Sequence, residues 1–209
     1  MARLVLIRHA MTDVTGRLLT GRLPGYELNA AGHAQAADLG KALRTVNLYA
    51  IFASPLERTQ QTAAAIAHHQ RRHSLQPNQV QPHPGLLEVD YGDWSGRSLA
   101  SLVRLRAWKT VVASPARMRF PGGESLFEAQ HRAVAACEEL ALRHRRRNLA
   151  LVTHADIVKL VVSHYLGQPL DLFGRVAVAP ASVTVVDLPP GGLPRVVTLN
   201  SNGDPRTWQ

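Results

Sequence analysis

Three short apolar runs, separated by amphipathic stretches, constrain the fold of this chain more than any other feature. Leu4, Val5, Leu6 and Ile7 make the first, residues 48–53 the second and residues 149–152 the third. Each is too short for a helix and continuously apolar, which marks a strand buried on both faces. Between them, residues 32–45 put Ala36, Leu39 and Leu43 on one helical face. Residues 57–69 read as a second helix, 125–146 as a long amphipathic one and 157–166 as another. Strands alternating with helices specify α/β architecture, a mostly parallel central sheet covered on both faces. Residues 183–187 and 195–199 are expected to close it around the Pro189-Pro190-Gly191-Gly192 turn. Residues 75–85 read as a loop with a short strand, residues 98–112 as helix, and residues 115–123 as a loop. The polar residues 200–209 read as a loosely held terminus. No composition shift marks a linker, so a single domain over residues 1–209 is expected.

The exits from the three strands carry the chemistry. The first run ends in Arg8-His9, the second in Ser54-Pro55-Leu56-Glu57-Arg58-Thr59, the third in Thr153-His154. Singly, each has an ordinary structural reading, as a polar exit, a helix start and a capped turn. Ligands of open α/β sheets bind beyond the carboxyl ends of the strands, so three such endings together favour a shared anion site. Locally, Ser54 suits an N-cap with Pro55 at the first helical position and Glu57 closing a capping box. Arg58 then lies in a first turn whose free N–H groups favour anions. Thr153 is likewise a candidate N-cap, with Asp156 three residues on. The segment from Leu86 to Gly96 gathers acids and glycines around Trp94. A carboxyl held near a bound phosphate has its pKa raised by like-charge repulsion, which suits a general acid. Composition leaves Glu88, Asp90 and Asp93 as equal candidates.

The net charge is +9, and 21 of the 24 basic residues are Arg. Two clusters stand out, residues 68–73 and 143–147. Both end expected helices, where cations complement the macrodipole, and neither is interleaved with aromatics. That pattern favours solvated helix ends over a nucleic-acid surface, while the positive field still draws in small anions. Cys137 falls on the apolar stripe of the long helix, so it reads as a core thiol, far from any metal-ligand spacing. No stretch reaches the ~20 apolar residues of a membrane span, and the first apolar run is too short for a signal peptide. A cytoplasmic protein without membrane or nucleic-acid partners is expected.

Taken together, these blocks resemble the histidine phosphatase superfamily, also called phosphoglycerate mutase-like, over residues 3–200. Leu6-Ile7-Arg8-His9-Ala10 matches its Arg-His-Gly signature except at the last position. Gly16-Arg17, Gly21, the residue 28–32 turn and Gln35-Ala36 follow in the family's order. Residues 54–63 match the second motif, and Leu87-Glu88, Gly92, Trp94 and Gly96 the third. Pro121-Gly122-Gly123-Glu124-Ser125 and Val152-Thr153-His154 match the rest. The resemblance implies a three-layer α/β/α sandwich and phosphoryl transfer through a phosphohistidine, with no metal or cofactor. It implies that His9 is the nucleophile, that Arg8, Arg58 and His154 hold the phosphoryl oxygens, and that Glu88 is the acid. Thr15 and Gly21 fall among the phosphate- or substrate-binding positions.

Three positions depart from the family pattern. Ala10 and Ala155 replace frequent glycines, and Thr15 stands where many members have an Asn. The mutases usually carry Glu-Arg-x-Tyr-Gly and a longer insertion, whereas this chain has Glu88-Val89-Asp90-Tyr91-Gly92 and a short one. The resemblance is therefore to the smaller phosphatase branch, acting on a small phosphorylated metabolite. A phosphomutase is the alternative, and a catalytically inactive binding module a third reading. Substrate choice is expected to come from a cap around residues 96–125, with help from residues 16–26. Arg22, Arg97, Arg104 and Lys109 are candidates for a second acidic group and otherwise surface residues. Trp94 and Tyr91 either line an apolar wall or pack.

Overall fold

Alternation of side chains along each apolar run decides the architecture, because both faces of every central strand must be covered. A computed structural model describes residues 1–70 and 80–208. In chain order the elements are β1 (Ala2–Arg8), β2 (Leu18–Leu19), α1 (Ala30–Leu43), β3 (Leu48–Ala53), α2 (Glu57–His69) and β4 (Val80–Pro82). There follow β5 (Arg97–Ser98), α3 (Leu99–Leu102), α4 (Trp108–Ala113), α5 (Leu126–Arg143), β6 (Asn148–Thr153), α6 (Ala155–Tyr165), β7 (Val183–Leu188) and β8 (Arg195–Ser201). The main sheet runs β4-β3-β6-β1-β7-β8. Its first four strands are parallel, and β7 and β8 complete it antiparallel.

The strands divide their side chains between two cores. Leu4, Leu6, Ala50, Phe52, Leu149 and Leu151 pack with the apolar stripes of α5 and α6. Val5, Ile7, Ile51, Ala53, Ala150 and Val152 pack with α1 and α2. The result is the three-layer α/β/α sandwich with a mostly parallel sheet. Local signals set the helix starts. Asn29 Oδ1 accepts from the Gly32 N–H at 2.8 Å, which begins α1 two residues before the expected position. Ser125 and Glu128 form a full capping box on α5.

Four expectations change. Residues 98–112 are not one helix, because α3 ends at Leu102 and α4 begins at Trp108. On one straight helix those two side chains would point about 120° apart. The break lets Leu102 enter the core while Trp108 stacks on Trp94, ring centroids 6.0 Å apart. Ser54 and Thr153 are not caps. Leu56 and His154 hold the N-cap positions of α2 and α6, neither with a side-chain cap bond. Thr153 Oγ1 instead donates to the Leu86 carbonyl at 2.7 Å. Nor is the C-terminal segment loose, since β8 runs to Ser201 and Trp208 is buried beside Leu39 and Leu43.

Cys137 is fully buried in the α5–α6 core, and burial pushes its thiol up to about 12, so it is an inert packing group. The Arg143–Arg147 cluster folds back onto its own surface. Arg143 pairs with Glu139 at 2.9 Å, and Arg147 lies over the Tyr49 ring at 4.6 Å. Arg71, Arg72 and His73 of the other cluster, and residues 75–79 of the expected loop, lie outside the described residues. Among the described residues, no helix is long and apolar enough to cross a membrane.

Candidate active site

The parallel strands end on one side of the sheet, and three of the four hand over a side chain to the site just past their last residues. His9 follows β1, Ser54 follows β3 and His154 follows β6. Backbone hydrogen bonds hold these exits side by side. The His9 N–H donates to the Thr153 carbonyl at 2.9 Å, and the Ser54 N–H to the Val152 carbonyl at 2.9 Å. A cavity of about 280 Å³ opens over them, lined among others by Arg8, His9, Thr15, Gly21, Arg58 and Glu88. His154 lies behind His9, with ring centroids 5.4 Å apart. All seven residues singled out from the sequence are therefore in or beside one cavity.

The hydrogen-bond geometry fixes the tautomer of His9. His9 Nδ1 lies 2.7 Å from the Ala10 carbonyl, which can only accept. Nδ1 therefore carries the proton, and Nε2 keeps its lone pair. The Arg8 Nη1 donates to the Val178 carbonyl at 2.7 Å, and the Arg58 Nη2 to the Gly21 carbonyl at 2.8 Å. Arg8 Nε, Arg58 Nε, Arg58 Nη1 and His154 Nδ1 are buried with no protein partner. Four orphaned nitrogens around one histidine are costly unless a ligand with several acceptor oxygens meets them. His154 Nε2 lies 2.9 Å from Ser54 Oγ. A hydroxyl proton donated there leaves Nδ1–H of a neutral ring as the free donor.

The backbone explains two small residues. Gly21 takes φ +54°, and a Cβ there would come within 2.9 Å of Ser95 Oγ and 3.0 Å of Tyr91 Cδ2, displacing the carbonyl that holds Arg58. Ala10 needs no such freedom. Positive φ among the described non-glycine residues occurs only at Arg146, Ala181 and Asn200. The Ala10 methyl packs with Leu28 and Ala36, so the departure from glycine is absorbed by the α1 side of the core. Thr15 Oγ1 accepts from the Thr12 N–H at 2.9 Å and lies 3.0 Å from the Thr12 hydroxyl, which ties it to its own turn as well as to the cavity wall.

Three carboxyl candidates separate here. Asp90 is held by the Gly92 N–H at 3.0 Å and by Arg22 at 3.6 Å, and Asp93 lies against Gly122. Glu88 alone lines the cavity. Its backbone is clamped by groups the sequence reading did not single out for this role. Its carbonyl accepts from Arg22 Nε at 2.9 Å and Arg132 Nη2 at 3.3 Å, and both guanidinium groups bond Glu124 Oε1. Glu124 sits in the Pro-Gly-Gly-Glu-Ser block, and that block crosses the Glu88 loop closely. A Cβ on Gly92 would fall 2.1 Å from the Pro121 carbonyl. Arg22 is thus a structural clamp, and Arg97, Arg104 and Lys109 do not line the cavity. Asp156 and Lys159, also not singled out as site residues, do line it. Asp156 accepts from Tyr91 Oη at 2.8 Å and from Lys159 Nζ at 2.9 Å. Asp156 and Lys159 lie three residues apart on α6, about one helical turn, and that spacing was the available signal of the pair.

Electrostatics divide the titratable groups into two sets. Burial, reinforced by Arg58, lowers His9 to about 3, and the same causes hold His154 well below its ordinary value. Both rings are neutral at pH 7. Burial, then the facing Asp156 carboxylate, raise Glu88 to about 7, so near neutrality it holds a proton that it can also release. An imidazole kept neutral by folding contributes stability that is complete above the ordinary value of 6.5 and is lost as the pH falls towards about 3. Thermal melts of the wild type are therefore expected to drop more steeply from pH 7 to pH 4 than those of His9→Asn. Parallel curves would show that His9 carries no such linkage.

A model of the histidine phosphatase superfamily (branch 1) matches residues 4–202. Phosphoserine phosphatase 1 of Hydrogenobacter thermophilus is 29% identical over 196 residues, covering 90% of this chain and 87% of that protein. The probable phosphoglycerate mutase GpmB of Proteus mirabilis is 31% identical over 193 residues, covering 90% and 85%. Among solved structures, YhfR of Bacillus stearothermophilus superposes with a TM-score of 0.86 at 25% identity, covering 96% of this chain and 98% of that one. Since the family match spans the sheet from β1 to the end of β8 and takes in every strand exit that lines the cavity, the chain belongs to the histidine phosphatase superfamily, branch 1.

Proposed function

We propose that this protein hydrolyses the phosphate monoester of a small metabolite through a phosphohistidine on His9, without a metal. The observation that carries this reading is the set of four buried, partnerless nitrogens on Arg8, Arg58 and His154 beside an imidazole whose Nε2 is unprotonated. One ligand answers all of them, a phosphoryl group with its oxygens toward the donors and its phosphorus toward Nε2.

In the first step His9 Nε2 attacks phosphorus, and the bond from phosphorus to the ester oxygen breaks. Arg8, Arg58 and the His154 Nδ1–H hold the phosphoryl oxygens, and Glu88 gives its proton to the departing alkoxide. In the second step the Glu88 carboxylate takes a proton from water, whose oxygen attacks phosphorus. The P–N bond breaks, inorganic phosphate leaves, and His9 and Glu88 return to their starting states. Splitting one displacement into two, with positioned charge at each, is how such sites lower the barrier. Two guanidinium groups match the two charges of a phosphate ester, so the charge neutralisation that a metal would supply is available from side chains. Residues 96–125 act as the cap of the single domain, contributing Leu99 and Trp108 to the cavity wall.

Hydrolysis is favoured over mutase transfer because the chain lacks the Arg of the mutase motif after Glu88 and has a short insertion. The relation to a phosphatase and to a probable mutase makes the product the deciding measurement. The purified protein is expected to release inorganic phosphate from p-nitrophenyl phosphate in excess EDTA at the rate seen without it. Loss of activity in EDTA would overturn the metal-free mechanism. Formation of a phospho-isomer from phosphoglycerate without free phosphate would replace hydrolysis by transfer.

A further inference from the structure

We infer that the ester taken by this site, on the reading above, is that of an uncharged alcohol whose apolar or aromatic body lies against Trp108. The cavity lining limits its occupant. Besides Arg8 and Arg58 it holds Val14, Leu18, Leu19, Leu99 and Trp108, and of these Leu19, Leu99 and Trp108 pack against one core cluster and supply an apolar wall.

The fixed charges are matched by one phosphoryl dianion and no more. Lys159 is the third cation lining the cavity, and Asp156 neutralises it at 2.9 Å. Burial acts to raise the Asp156 pKa, but the Lys159 ammonium and the Tyr91 hydroxyl hold it below its ordinary value, so the pair is ionised and close to neutral overall. Arg22 is committed to Glu124 and the Glu88 carbonyl. A second anion on the substrate, such as a carboxylate, would be desolvated beside the Asp156 carboxylate, with no free cation among the described residues lining the cavity to receive it.

The wall is also held in place before any substrate arrives. Trp108 stacks on Trp94 with 23° between the rings, and Trp94 is itself buried and packs edge-on against Phe120 at 5.5 Å. A fixed indole presents apolar area without an ordering cost on binding, which favours a planar or apolar leaving group.

Four alkyl esters with similar leaving groups test this: 2-phenylethyl phosphate, glycerol 3-phosphate, phosphoserine and 3-phosphoglycerate. The wild type is expected to show kcat/KM for 2-phenylethyl phosphate at least about tenfold above phosphoserine and 3-phosphoglycerate. Trp108→Ala is expected to lower the ratio of 2-phenylethyl to glycerol phosphate kcat/KM by about tenfold, mainly through KM. Leu99→Ala, on the same wall, should move that ratio in the same direction. Asp156→Asn, which frees the Lys159 charge, should raise kcat/KM for 3-phosphoglycerate relative to glycerol phosphate. A preference for either carboxylate-bearing ester, or a selectivity ratio unmoved in both wall variants, would overturn the inference and leave the hydrolase reading intact. Release of phosphate from none of the four esters would overturn the hydrolase reading itself.

Discussion

Replacing His9 by alanine is expected to lower kcat for phosphate release by at least about 10⁴-fold, to the background of the remaining donors. The size follows from the role. Arg8, Arg58 and His154 can still bind a phosphoryl group, but without Nε2 no group in the cavity stands at phosphorus to take it. The variant is expected to fold. The His9 side chain makes one hydrogen bond, to its neighbour's carbonyl, and the backbone bond to Thr153 does not depend on the ring. It should even be less sensitive to acid, for the reason given by the His9 linkage. Binding should survive as well, so inorganic phosphate should still quench fluorescence at concentrations close to wild type. Two readouts separate chemistry from structure. Wild type rapidly mixed with ester and denatured in base should retain alkali-stable, acid-labile phosphate on one histidine, and His9→Ala should retain none. Turnover by His9→Ala at more than about a hundredth of the wild-type rate would show that the nucleophile lies elsewhere.

The parts of this fold that local chemistry controls were legible in the chain. The continuous apolar runs gave the central strands, and the bounds of β3 and α2 are those read from the sequence. The site was legible for a related reason. A parallel sheet puts every strand exit on one side, so three polar exits in the sequence are three neighbours in space. What the sequence left open was decided by tertiary contacts. Ser54 and Thr153 look like caps, and local propensity alone would make them so. Their hydroxyls instead meet His154 and the Leu86 carbonyl across the sheet. The break between α3 and α4 has no proline or glycine to announce it, and it exists because Leu102 and Trp108 both find apolar partners. Composition left Glu88, Asp90 and Asp93 equal, the motif match pointed to Glu88, and of the three it is Glu88 that lines the cavity, its backbone held by an Arg22–Glu124–Arg132 clamp whose members are over a hundred residues apart at the extremes and carry no shared local signal. Trp208 was hidden by the polarity of its neighbours, although a single large aromatic is enough to anchor a terminus.

Replacing Glu88 by glutamine is expected to produce the second largest loss, and its size should depend on the ester. For an alkyl phosphate the departing alkoxide is a strong base, and removing its proton donor should cost about 10²- to 10⁴-fold in kcat. For p-nitrophenyl phosphate the leaving group is stable as an anion, so formation of the phosphoenzyme should slow much less. The second step still needs a base for water, so Glu88→Gln should accumulate phosphoenzyme from the aryl ester and show a burst of nitrophenol followed by slow turnover. The pH dependence carries the same assignment. Burial and Asp156 raise Glu88 to about 7, so its acid form is lost as the pH rises through that value. His9, lowered to about 3, is already neutral across the same range and adds no limb there. Wild-type kcat/KM for an alkyl ester should therefore fall about tenfold per pH unit above pH 7. In Glu88→Gln that limb should disappear, leaving a low, flat profile. Glutamine keeps the size of the side chain and cannot titrate, so an unchanged alkaline limb in the variant would assign it to another group and remove Glu88 as the acid. Equal losses for alkyl and aryl esters, with no burst, would mean that Glu88 holds the site together and moves no proton.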